Sequence, residues 1–180
     1  VEARRPANWW LTGKNNWNSV CLAGVTGSAL ALIESRDERA YYVVAAEALS
    51  KHFVSGIPAD GYCTEGVGYW NYGFGNYILL AETVLQATGG KLDLLTGEHV
   101  KRIALYGLHI AIAPGVCPAF ADCSVDARPS AFLVDYIARR WGRPVPPGLS
   151  EPRPWSSMPL YWVMACAFPN SVSDRPKPQQ

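Results

Sequence analysis

The chain has 180 residues, 16 Lys plus Arg against 15 Asp plus Glu, 49% apolar residues and 12% aromatic ones. That composition belongs to a folded chain with a core, and the length suits one domain. The near-zero net charge excludes the strong basic excess typical of nucleic-acid binders, and no apolar run reaches the roughly 18 residues of a membrane span.

In chain order, Val1, Glu2, Ala3, Arg4, Arg5 and Pro6 carry neither a starting Met nor a signal-peptide pattern, and read as a cut inside a longer chain. Residues 19–33 are expected to be helical, with small side chains (Ala23, Gly24, Gly27, Ser28, Ala29, Ala31) that let neighbouring helices approach and so offset the poor helix propensity of glycine. Asp37 is expected to cap a second helix running to about residue 54, whose apolar positions Ala40, Val43, Val44, Ala46 and Leu49 recur near a helical period. Gly56-Ile57-Pro58-Ala59-Asp60-Gly61 breaks the pattern.

An aromatic, Gly-rich stretch over residues 62–77 leads into a helix over 78–87 that stops at Gly89-Gly90. Helical spacing returns over 98–112. Residues 114–128 are an irregular loop, and Pro129 fits the first turn of a helix reaching Trp141. A Pro-rich loop spans 143–154, an apolar helix is expected over 156–168, and residues 171–180 form a polar, Pro-rich tail or linker. No β-hairpin, dinucleotide fingerprint or P-loop is present. The expected fold is therefore all-α: antiparallel helix pairs over residues 1–170, too few to close a ring and so forming an incomplete (α/α) toroid.

Five cysteines (Cys21, Cys63, Cys117, Cys123, Cys166) lack metal-site spacing, and His52, His99 and His109 are scattered, so neither a metal nor a cofactor is expected. Cys117 and Cys123 either bridge, if the protein is exported, or stay buried as small hydrophobes. His99 and His109 read as helix surface or packing, and Asp122 and Asp126 as turn residues. Arg128, Arg139 and Arg140 are either solvated helix ends or binders of acidic sugars.

Two segments carry the candidate chemistry. The first contains Asn8, Trp9, Trp10, Lys14, Asn15, Asn16, Trp17 and Asn18. The second contains Asp60, Tyr62, Glu65, Tyr69, Trp70, Asn71 and Tyr72. Rings stack on the apolar faces of sugars, and amides donate and accept hydrogen bonds, so together they suit a carbohydrate cleft. The competing reading has the rings plugging a helical core and the asparagines capping helices. Three asparagines within four positions exceed what capping requires.

Asn15-Asn16-Trp17-Asn18-Ser19-Val20-Cys21, followed by Asp60-Gly61 and by Glu65-Gly66-Val67-Gly68-Tyr69-Trp70-Asn71-Tyr72-Gly73, resembles the heparinase II/III-like polysaccharide lyases and their alginate-lyase relatives. Ala119-Phe120-Ala121-Asp122 and Ala138-Arg139-Arg140-Trp141-Gly142 fit more weakly. The resemblance implies β-elimination on a uronic-acid polysaccharide. One group neutralises the uronate carboxylate, a base takes the proton from the adjacent carbon, and an acid protonates the leaving oxygen.

It implies Asn16 as the neutralising amide and Tyr72 as acid and base, with Tyr69 as second choice. Asn15, Trp17, Asn18, Trp10, Glu65 and Trp70 are the expected substrate contacts. Glu65 is weighed both as an acid and as a helix cap. A phenol that ionises near pH 10 needs help to act as a base, from Lys14, His52 or an arginine. The sequence carries Trp17 where many relatives have a His, and the family's second catalytic His comes from a β-sandwich domain that follows the toroid. The implied setting is periplasmic or secreted, with an acidic polysaccharide as partner.

Two other readings stand beside this one. The first is a non-catalytic carbohydrate-binding or scaffold domain of the same fold. The second is a toroid-type glycoside hydrolase, which needs two facing carboxyls such as Asp60 and Glu65.

Overall fold

In the computed structural model, which describes residues 7–149, a short 3-10 turn at Trp9–Leu11 precedes five α-helices. These are α1 (Asn16–Leu32), α2 (Arg36–Ser55), α3 (Val67–Ala87), α4 (Glu98–His109) and α5 (Ala131–Trp141). Among the described residues the only β feature is an isolated bridge between Ala113 and Val116. The described residues adopt the all-α class expected from the pattern. The helix expected over 156–168, the tail over 171–180, Cys166 and the first six residues lie outside the described residues.

Several boundaries differ from expectation for local reasons. Ser35, not Asp37, caps α2, accepting the Glu38 N–H at 3.3 Å. Asp37 instead lies in the first turn, where its charge favours the positive end of the helix dipole. α3 starts at Val67, well before residue 78, so most of the aromatic stretch is part of the helix. Its start is set by Gly66, whose φ of 89° suits a residue without a Cβ. Pro129 stands just outside α5, which begins after Ser130.

The connection through Ile33, Glu34 and Ser35 is short, and α1 packs on α2. A Cβ at Gly56, just past the end of α2, would collide with the Lys14 carbonyl just before α1. The two helices thus form an antiparallel hairpin. The small residues of α1 serve it unevenly. Ala23 and Ala29 are buried, whereas Gly24 and Gly27 have nothing among the described residues within 4 Å of an added Cβ. The close approach expected at those two glycines does not occur there.

α3 is the central strut. Trp70, Phe74, Ile78 and Leu80 are fully buried on it and share one core with Ile103 of α4 and Leu133 and Ile137 of α5. Trp70 stacks on Phe74 and Phe74 on Tyr77, each with centroids 5.8 Å apart. Each such side chain contributes about 1.5–3 kcal/mol by leaving water. Gly107 of α4 admits the Trp70 ring, which any Cβ there would strike.

The far end of the bundle is closed by buried and half-buried polar pairs. The Tyr136 hydroxyl donates to Glu82, Arg140 pairs with Asp93, and the Tyr77 hydroxyl donates to the Leu94 carbonyl at 2.8 Å.

Candidate functional site

The two aromatic segments meet where α1, α2 and α3 converge. The meeting point is Gly73. A Cβ built there would lie 3.1 Å from the Phe53 ring of α2 and 3.2 Å from the Asn16 Cβ of α1. The buried Ser19 hydroxyl donates across the junction to the Gly73 carbonyl at 2.8 Å. Asn16 therefore sits against the residue that follows Tyr72. Asn16 is partly exposed, and Tyr72 is 45% exposed. Neither side chain has a hydrogen-bond partner among the described residues, although Tyr72 offers its backbone carbonyl to the Asn76 amide at 2.7 Å.

The other asparagines of the first segment are spent on the backbone. Asn15 caps α1 by accepting the Trp17 N–H at 3.2 Å. Asn18 is fully buried, and its amide donates to the carbonyls of Trp10 and Leu11 at 3.0 and 2.9 Å. This clamp fastens the 3-10 turn onto α1 and turns the Asn18 amide away from solvent. Its Oδ1 is buried without a partner among the described residues. Trp10 is partly buried against the core. Trp17 is 50% exposed and meets Trp9 edge-on at 6.2 Å, so one open indole flanks Asn16 in the chain.

In the second segment Asp60 accepts the Tyr62 N–H at 2.9 Å, closing the turn before α3. Gly61, at φ 83°, lies against the Arg102 backbone with no room for a side chain. Glu65 is exposed, and no side chain caps α3. Trp70 is 1% exposed, and its indole N–H donates to the Ile103 carbonyl at 2.8 Å. Its faces are occupied by Phe74 and Tyr106, so this ring is a core residue with no face left for a sugar. Tyr69 is partly exposed.

Lys14 and His52, the expected helpers of the phenol, lie at the same end of the α1/α2 hairpin, adjoining the Gly56–Lys14 contact. Two of the candidate arginines are engaged elsewhere: Arg139 pairs with Asp135 at 2.8 Å and Arg140 with Asp93. His99 hydrogen-bonds the Pro58 carbonyl through a ring nitrogen at 3.0 Å, a packing role.

Asn71 and Ser19 carry weight that the sequence reading did not assign. The Asn71 amide donates to the Arg128 carbonyl at 2.7 Å, and its oxygen accepts the Ser130 N–H at 2.8 Å. One side chain thus ties the loop before α5 onto α3. Its partners lie far along the chain, so no local pattern could mark it. Ser19 lay within the first motif and at the expected start of the first helix, with no role of its own.

The 117–128 loop packs beside the start of α3. Phe120 stacks on Tyr62 at 5.5 Å, and Tyr106 meets Tyr62 edge-on at 5.5 Å. Burial pushes the thiols of Cys21, Cys63 and Cys117 and the phenol of Tyr106 up. Cys117 and Cys123 are free thiols, not bridged to each other.

Among the described residues no three His, Cys, Asp or Glu side chains are placed to hold a metal ion, and no helix is long and apolar enough to cross a membrane. No family model matches the chain, and no curated protein matches it.

Proposed function

We propose that this chain is part of the (α/α) toroid of a polysaccharide lyase that cleaves a uronic-acid-containing glycan by β-elimination. One observation carries the proposal: Asn16 is seated on Gly73, the chain neighbour of Tyr72, and both side chains reach solvent. The antiparallel α1/α2 pair is the repeating unit such a toroid requires.

On this reading the Asn16 amide donates to the uronate carboxylate and spreads its charge, which acidifies the proton on the adjacent carbon. Tyr72, as phenolate, removes that proton and returns it to the leaving glycosidic oxygen. Trp17 supplies an apolar ring for a sugar face. A β-sandwich domain following the toroid, in a periplasmic or secreted protein, completes the machinery.

A second reading, carbohydrate binding without turnover, draws support from two observations. Asn15 and Asn18 are committed to backbone groups, and Trp17 is half exposed at the position where many relatives hold a His.

One experiment separates the readings. The protein is incubated with heparin, chondroitin and alginate while ultraviolet absorbance of unsaturated product and tryptophan fluorescence are followed. Absorbing product that disappears in Tyr72→Phe supports the lyase. Fluorescence change with no product supports the binding domain. Neither signal with any of these polymers sinks both.

A further inference from the structure

Two cysteines share one glycine. A Cβ at Gly66 would lie 2.6 Å from the Cys123 Cβ and 3.2 Å from its Sγ, so the Cys123 side chain occupies the space a side chain at 66 would fill. Cys63 lies three residues before this glycine, at the other end of the same turn, with its side chain partly exposed. The Gly66 N–H lies 3.1 Å from the Cys63 carbonyl, which folds the 63–66 turn tightly.

A second contact holds the same two strips of chain together. Tyr62, next to Cys63, stacks on Phe120 with ring planes 15° apart, and the Phe120 carbonyl accepts the Cys123 N–H at 3.1 Å. Cys117 is buried, whereas Cys63 and Cys123 are both partly exposed. The accessible pair is therefore Cys63 with Cys123.

We infer that Cys63 and Cys123 form an intramolecular disulfide that staples the 120–123 turn to the start of α3. This inference does not rest on the lyase reading. The oxidant is a low-molecular-weight disulfide, RSSR. Cys63, once deprotonated, attacks one sulfur of RSSR, giving the Cys63–S–SR mixed disulfide and RS⁻, which takes up a proton. Cys123, deprotonated in turn, attacks the Cys63 sulfur, forms the protein disulfide and expels the second RS⁻, which is protonated. Two protein thiols are oxidised and one RSSR is reduced to two RSH. Burial pushes the Cys63 thiol up, so the reaction is slow at neutral pH.

The bridge would close a loop of about sixty residues, large enough to raise Tm by roughly 10 °C. The test treats the whole 180-residue chain with oxidised glutathione at mildly alkaline pH, quenches with acid and an alkylating agent, and maps linked peptides by mass spectrometry. The expected result is a peptide joining Cys63 to Cys123, with Tm raised relative to the reduced chain. Cys63→Ala and Cys123→Ala each abolish both effects. A Cys117–Cys123 link, a link through Cys21 or Cys166, glutathione adducts alone, or free thiols throughout would each overturn the inference. The mapping uses the unaltered chain, so it stands even where a variant fails to fold.

Discussion

The two halves of α3 use similar residues in opposite ways. In its C-terminal half, polar groups are drawn inward: the Tyr77 hydroxyl reaches the Leu94 carbonyl, and Glu82 receives the Tyr136 hydroxyl inside the bundle. In its N-terminal half, Tyr72 is 45% exposed, and its chain neighbour Gly73 lies against Asn16, which is partly exposed too. A buried phenol must find an acceptor or pay the full cost of desolvation, which makes it a strut. An exposed phenol remains available to a ligand. The same residue type is thus structure at one end and candidate chemistry at the other, and burial makes the difference.

The sharpest way to break this comparison is to exchange the two roles. On the lyase reading, Tyr72→Phe removes the proton carrier and lowers unsaturated-product formation about 100- to 10,000-fold. At an exposed position it shifts the unfolding free energy by no more than about 0.5 kcal/mol. Matching urea midpoints with lost activity are expected; a large stability loss would place Tyr72 among the struts.

Trp70→Ala is the converse. The ring fills the space left by Gly107 and donates to the Ile103 carbonyl, so its removal costs about 3–5 kcal/mol in denaturant unfolding. A near-neutral result would show that the core collapses around the gap.

Tyr136→Phe removes the donor to Glu82 and is expected to cost about 1–3 kcal/mol. It also carries a pH signature. Burial first, then the neighbouring Glu82 charge, holds the Tyr136 phenol above its ordinary value, and burial raises Tyr77 and Tyr106 likewise. Below about pH 10 these phenols are neutral in folded and unfolded chains alike, so their contribution is fully present. As pH climbs beyond that, the unfolded chain ionises while the folded one resists, and stability falls. Urea midpoints measured from pH 8 to 11 should decline at the alkaline end, less steeply in Tyr136→Phe. Last and smallest, Asn15→Ala loses the cap on α1 and about 1 kcal/mol, with no change in carbohydrate binding if Asn16 alone faces the ligand.

The placement of the first two helices and of the glycine-rich breaks could be read from the residues, because helical period, caps and breakers act over a few positions. The start of α3 could not. Its glycines and aromatics argue locally for an irregular stretch, and only burial of Trp70 and Phe74 against α4 makes that stretch helical. The site was legible as two segments and not as individual roles. Asn15, Asn16 and Asn18 differ little in sequence, yet one caps, one clamps a turn, and one stays partly open against Gly73.

By itself the sequence determined that this chain would be helical, where most of its breaks fall, and which two segments hold rings and amides. The tertiary structure decided which of those groups face water. Gly73 lets three helices converge and leaves Asn16 and Tyr72 partly open to solvent, while the indole of Trp70 and the amide of Asn18, drawn from the same two segments, are buried. The physical reason is range. Propensity and period are set by neighbours in the chain, whereas exposure of a side chain is set by whatever distant element packs over it.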